Sequence, residues 1–102
     1  MKNSFNNDDI KNGQDMINIL NRGGFKITKA MWKLDASVGG WVLYIGTHLI
    51  EEVGMKNTLD LMDDLLRDRR DLRLYAIYMD IRRPSSDIFN RAFTGTSHEY
   101  VI

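Results

Sequence analysis

Phe25-Lys26-Ile27-Thr28-Lys29-Ala30-Met31-Trp32-Lys33-Leu34, then Asp35-Ala36-Ser37-Val38-Gly39-Gly40, then Trp41-Val42-Leu43-Tyr44-Ile45-Gly46-Thr47: these residues decide the fold. The first arm reads with a period of two, placing Phe25, Ile27 and Met31 on one face of a strand and Thr28, Ala30, Trp32 and Leu34 on the other. The middle has the polar and glycine residues of a hairpin loop. The third part is rich in β-formers and reads as the returning strand. The two tryptophans of the chain bracket this turn, one on each arm.

Upstream of the hairpin, Gly23-Gly24 supplies a helix stop, and Met16, Ile17 and Leu20 make the apolar stripe of a short helix over 13–22. Residues 1–11 are rich in Asn and Asp and read as a flexible polar tail in which Phe5 and Ile10 dock only locally. Downstream, Val53-Gly54 closes a connection. Leu59, Met62, Leu65 and Leu66 then give the three-and-four spacing of an amphipathic helix over about 55–70.

Residues 72–81 are nearly continuously apolar (Leu72, Leu74, Tyr75, Ile77, Tyr78, Ile81) and read as a strand covered on both faces, the candidate for the centre of the sheet. Pro84-Ser85-Ser86-Asp87 opens a third helix, with Ile88, Phe89, Ala92 and Phe93 on its buried side and Gly95 at its end. Residues 98–102 read as an edge strand. The expected architecture is α+β: a three- to four-stranded sheet with helices packed on one face, in the order α-β-β-α-β-α-β. One domain over 12–102 follows the tail, and a strand 3 placed beside strand 1 gives a sheet ordered 2-1-3.

At 102 residues the chain can bury a hydrophobic core without disulfides or metals. It contains no cysteine, which excludes disulfides, thiolate zinc sites and cysteine nucleophiles and fits a reducing, cytoplasmic setting. No apolar run is long enough to span a bilayer and the N-terminus lacks a secretion-signal core, so no membrane partner is expected. Fourteen basic residues balance fourteen acidic ones, leaving no global field to gather nucleic acid. Five of the six lysines precede residue 52 and seven of the eight arginines follow it. Polar recognition by guanidinium forks is therefore expected in the second half.

Gly24-Phe25-Lys26-Ile27-Thr28-Lys29-Ala30-Met31-Trp32, with Trp41-Val42-Leu43-Tyr44-Ile45-Gly46-Thr47-His48-Leu49-Ile50 and Gly54, resembles an uncharacterised family of small bacterial proteins. That family joins an aromatic strand, an acidic turn, a Trp-led second strand and a glycine before a helix. The resemblance covers about residues 20–66 and implies a bacterial or phage source and a fold, but no activity. It departs from the family at the turn, where Asp35-Ala36-Ser37 stands in place of an Asp-Pro element.

Four constellations invite chemistry. His48 with Glu51 and Glu52, and His98 with Glu99, suggest metal or acid-base work, but match no ligand spacing; surface or capping roles account for them. Glu51 or Glu52 with Asp80 would share a sheet edge if strands 2 and 3 run parallel. They could then hold Mg²⁺ for phosphodiester cleavage, with Arg82 and Arg83 on phosphate. Ordinary surface pairing explains the same residues. In Arg67-Asp68-Arg69-Arg70-Asp71 the interleaved aspartates favour a solvated helix end over a phosphate tract. Trp32, Trp41, Tyr44, Tyr75 and Tyr78 could stack bases, yet cross-strand packing explains them without nucleic acid.

The expectation is a non-enzymatic protein-interaction or regulatory module with no cofactor, self-associating as a homodimer through its sheet or binding another protein. The expected contacts are Trp41, Tyr44, Tyr75, Arg82 and Arg83, with Trp32 in the core. The alternatives are a metal-dependent nucleic-acid-processing enzyme, or a phage- or plasmid-encoded inhibitor of a bacterial enzyme.

Overall fold

The computed structural model describes residues 2–90 and 97–102. The chain is an α+β protein in the expected order. Helix α1 (Asn7–Arg22) leads into β1 (Ile27–Asp35) and β2 (Gly40–Thr47), followed by α2 (Leu49–Leu65) and the single turn α3 (Arg70–Arg73). A 3-10 turn (Leu74–Tyr78), β3 (Met79–Arg82), a second 3-10 turn (Asp87–Phe89) and β4 (Ser97–Glu99) complete it.

The hairpin is where the sequence placed it. Residues β1 and β2 pair antiparallel from Asp35↔Gly40 upward, around a loop in which Asp35 Oδ1 accepts from both the N–H and the Oγ of Ser37. Gly39, at φ 74°, takes the left-handed position that closes the loop. Face assignment changes along β1, because the register slips by one residue between Ile27 and Lys29. That bulge puts two residues of β1 against one of β2. Phe25 and Ile27 therefore share a face with Ala30 and Trp32, while Met31 turns to the other side. Strict alternation had grouped Met31 with Phe25 and Ile27.

The sheet order is β3-β2-β1-β4, so the hairpin strands are central and strand 3 lies beside strand 2, not strand 1. Strand β3 runs parallel to β2 over Leu43↔Met79 to Gly46↔Arg82, and α2 supplies the crossover such a pair requires. The expected central strand over 72–81 is thus corrected to a helical turn and a four-residue edge strand. Its near-continuous hydrophobicity arises from a period of three. In a 3-10 turn residues i and i+3 eclipse, so Tyr75 and Tyr78 face inward while Leu74 and Ile77 face out. The short strand β4 pairs antiparallel with β1 at the other edge, as expected for the C-terminal residues.

One core holds the helices on one face of the sheet. It joins Met16, Ile17 and Leu20 of α1, Leu49, Ile50 and Met62 of α2 and Leu72 of α3 to Trp32, Leu43 and Ile45. On the opposite face a smaller cluster gathers Met31, Tyr44 and Ile88, flanked by Val42 and Phe89. The third helix expected after Pro84 is, among the described residues, the 3-10 turn Asp87–Phe89; Ala92, Phe93 and Gly95 lie outside them.

Helix α1 starts six residues earlier than its apolar stripe implied. Asn6 caps it by accepting from Asp9 N–H, and the Asp9 carboxylate accepts from Asn6 N–H at 2.9 Å, a reciprocal box that satisfies two end donors. Residues 7–11, read from composition as tail, are consequently helical. Within α2, Gly54 (φ 84°, ψ 164°) breaks the helix at the glycine that the sequence marked as a connection. Inside the second piece, the Thr58 hydroxyl donates to the Gly54 carbonyl four residues back at 2.8 Å.

Candidate functional site

Strand β3 pairs with β2 only from Leu43 onward, so the first residues of β2 have no strand partner on that side. The N-terminal segment takes the place of one. Trp41 N–H donates to the Lys2 carbonyl at 2.8 Å, and the Phe5 ring stacks on the Trp41 indole at 4.4 Å between centroids and 18° between planes. Lys2 Nζ reaches Asp9 Oδ1 at 2.8 Å and lies 5.7 and 5.5 Å from the ring centroids of Tyr75 and Tyr78. Tyr75 donates to the same Asp9 oxygen at 2.8 Å and accepts from Asn12 at 3.0 Å.

Asp9 is buried at 2 % exposure. Burial pushes its carboxyl upward, but hydrogen bonds from Lys2, Asn6 N–H and Tyr75 and the charge of Lys2 outweigh that, leaving it below the ordinary value of 3.8. Burial, with the Asp9 charge acting in the same sense, raises the Tyr75 phenol.

A groove of about 270 Å³ runs alongside this segment, with Lys2, Trp41, Val42, Tyr78 and Asp80 in its walls and Val38 and Ile77 at its rim. Ile77 is 77 % exposed and Leu74, one 3-10 turn before it, 72 %. Two large aliphatic side chains thus stand side by side in solvent next to an aromatic-walled groove. Scattered single apolar residues are normal on a surface, whereas these two are neighbours.

The expected contact residues divide between locations. Trp41 is half-buried under Phe5 on the helix-covered face, and Tyr75 is half-buried behind Lys2. Tyr44, three positions from Trp41 and so on the opposite face, is buried and donates to Asp35 Oδ2 at 2.5 Å; burial and that carboxylate raise its phenol strongly. Only 2 % of it is exposed, yet it lines the same groove as Trp41, from the opposite face of the sheet. Trp32 is fully buried, as expected, and its Nε1–H donates to Tyr100 Oη at 3.0 Å.

Arg82 grips Asp80 Oδ2 through Nε and Nη2 at 3.3 and 3.1 Å, reaches Ser86 Oγ at 3.3 Å and lies 5.4 Å over the Tyr44 ring. Its hydrogen bond to Asp80 raises the guanidinium pKa further. With exposed Arg83 and Ser85 and half-buried Ser86 it lines a second hollow of about 460 Å³.

Strands 2 and 3 do run parallel, but two of the three carboxylates considered for Mg²⁺ are in ion pairs, and Glu51 is exposed. Glu52 takes Lys26 at 2.7 Å and Asp80 takes Arg82. Among the described residues no group of three or more His, Cys, Asp or Glu side chains is placed to hold a metal ion. His48 sits exposed at the start of α2 and His98 lies edge-on to Tyr100 at 5.0 Å. In the Arg-Asp run, Arg67 pairs with Asp64 at 2.5 Å and Arg69 with Asp71 at 3.0 Å, a solvated helix end. The five aromatics form no open stacking platform: Trp32 and Tyr44 are buried on opposite faces, and Tyr75 and Tyr78 meet edge to face at 6.2 Å.

Sequence reasoning gave Phe5 a local docking role but missed Lys2 and Asp9. The Asn-x-x-Asp spacing of residues 6–9 was the available signal for a helix start, and hence for a docked segment ahead of it. No family model, no curated protein and no solved structure matches the chain. Among the described residues no helix is long and apolar enough to cross a membrane.

Proposed function

We propose that this protein is a non-enzymatic protein-interaction module that self-associates through the sheet edge where the Leu74–Tyr78 turn meets the hairpin loop. The observation that carries this reading is the exposed pair Leu74 and Ile77, which extends through Val38 to the Trp41 groove. A monomer leaves this apolar strip in water, and an isologous dimer buries two copies of it at about 25 cal/mol per Å² of apolar surface. Arg70 and Arg73, which line the far side of Leu74, provide a polar rim.

The test is the mass in solution by light scattering and sedimentation from micromolar to millimolar concentration. A concentration-dependent dimer that Leu74→Asp/Ile77→Asp returns to monomer is the expected result. A monomer throughout defeats the proposal.

A further inference from the structure

The second hollow lies beyond the carboxyl end of the parallel pair, where β3 runs out at Arg82 and α2 begins at Leu49. Parallel strands joined by a helical crossover leave a crevice at that end, and it is where such sheets take their ligands. Its polar wall is built of donors. The Arg83 guanidinium and the Ser85 hydroxyl are exposed, and among the described residues neither has an ion pair or a hydrogen bond. Arg82 uses Nε and Nη2 on Asp80 and Nη1 on Ser86, which leaves a second proton on each terminal nitrogen. Ser86 Oγ accepts from Arg82 and so keeps its own proton to give. A turn closed by Ser86 N–H to the Arg83 carbonyl at 3.0 Å, with buried Pro84 at its second position, holds these groups together. Among the described residues of the wall, Asp80 and Arg82 cancel in charge and Arg83 is left over. The rest of the wall is apolar: Ile50 and Ile81 are nearly sealed, while Met55 is 42 % exposed.

We infer that this hollow binds a small organic phosphate monoester, the phosphate held by Arg82, Arg83, Ser85 and Ser86 and the organic group resting on Met55, Ile50 and Ile81. The inference stands apart from the self-association proposed above. A phosphate fits because its terminal oxygens accept from several directions at once, as two guanidinium groups and two hydroxyls require. A planar carboxylate would take one guanidinium fork and leave the hydroxyls unused. The apolar wall favours an ester over the free ion, since Met55 is then covered by carbon instead of water. A polynucleotide is a poorer match: the surplus charge is that of Arg83 alone, and the chain's fourteen basic and fourteen acidic residues balance. The volume of about 460 Å³ suits a small molecule, for which sites run roughly 300–1,000 Å³.

The test is a titration of the isotope-labelled full chain with phenyl phosphate, inorganic phosphate and benzoate at constant ionic strength, followed through the backbone amides and the arginine Nε–H signals. Saturable shifts centred on Arg83, Ser85 and Ser86 are the expected result. Phenyl phosphate should bind roughly fivefold tighter than inorganic phosphate through its ring, and roughly tenfold tighter than benzoate, which has the ring but a planar anion. Arg83→Ala should weaken phenyl phosphate by roughly tenfold and Ser85→Ala by roughly threefold. Both side chains are exposed, so the variants should keep the parent's spectrum elsewhere, which separates lost binding from lost fold. Shifts that do not saturate, or that spread equally over the arginines of 67–73, overturn the inference. So does equal affinity for inorganic phosphate or benzoate, or an Arg83→Ala protein that binds as the parent does. None of these results bears on the mass of the protein in solution, by which self-association is judged separately.

Discussion

Gly13 shows how much of this fold is set by single atoms. It lies buried in α1 where Trp32 and Tyr100 cross the helix, and a methyl added there would stand 2.1 Å from Tyr100 Oη and 2.9 Å from Trp32 Nε1. The Tyr100 hydroxyl cannot retreat freely, since it accepts from Trp32 and donates to the Ile10 carbonyl at 2.7 Å. Burial lifts its phenol to about 12 despite the Trp32 bond, so the proton stays on at ordinary pH. Alanine gains about 1 kcal/mol over glycine in a helix. Overpacking costs about 1–3 kcal/mol, and the broken hydrogen bonds add to it. Gly13→Ala is therefore expected to destabilise by about 1–3 kcal/mol net in urea unfolding, against its helix propensity.

Asp9 gives a pH dependence of definite sign. Its folded pKa lies below the unfolded 3.8, so its stabilising contribution is full above that value and is lost as pH falls through the lower folded one. Stability should decline below about pH 4, and Asp9→Asn should flatten that acid limb while costing about 1–3 kcal/mol at neutral pH. Unfolding curves at pH 7 and pH 3 compare the two. None of this was legible beforehand, because an aspartate in an Asn-rich stretch looks like a solvated tail until its three partners are placed around it.

Among the elements, the hairpin and the helix break at Gly54 were legible for local reasons: turn residues and glycine punctuate the chain wherever the backbone must turn sharply. Gly54 occupies a backbone region that side chains rarely enter, with open space around its Cα. Gly54→Ala should then cost about 1–3 kcal/mol through backbone strain alone, with no clash, and a melting curve measures it. The β1 bulge was invisible because alternation carries no mark of an inserted residue; Thr28, between Ile27 and Lys29, suits a regular strand as well as a bulge. Residues 72–78 misled because an apolar run of that length suits a buried strand and a 3-10 turn equally, and only the exposure of Leu74 and Ile77 separates them. Their spacing of three, with Tyr75 and Tyr78 in the same step, was the signal available.

For the whole molecule, the fold class and element order followed from sequence because each element carries its own period. Strand order did not, since pairing β3 with β2 or with β1 satisfies the same local patterns. The residues expected to make contacts fall in different places. Trp41 lines the groove and Tyr75 lies behind Lys2, whereas Tyr44 reaches the same groove from the opposite face, because the pleat reverses between positions 41 and 44. At this scale the proposed interface and the fold separate energetically. Leu74 and Ile77 contribute little to the monomer's core, so Leu74→Asp/Ile77→Asp should leave monomer stability within about 0.5 kcal/mol per site. Any fall in melting temperature should appear only at concentrations where the parent is dimeric. Melting of both proteins at two concentrations tenfold apart checks this.

The crossing of Trp32 with Tyr100 and the stacking of Trp41 under Phe5 make the two indoles different light sources. Trp32, sealed from water, should emit at the short-wavelength end and resist collisional quenchers. Trp41, half-open at the groove, should emit further to the red and be quenched first. A titration with acrylamide thus resolves the interior of this protein from its docked N-terminal segment without any label, and Trp32→Phe and Trp41→Phe assign the two colours.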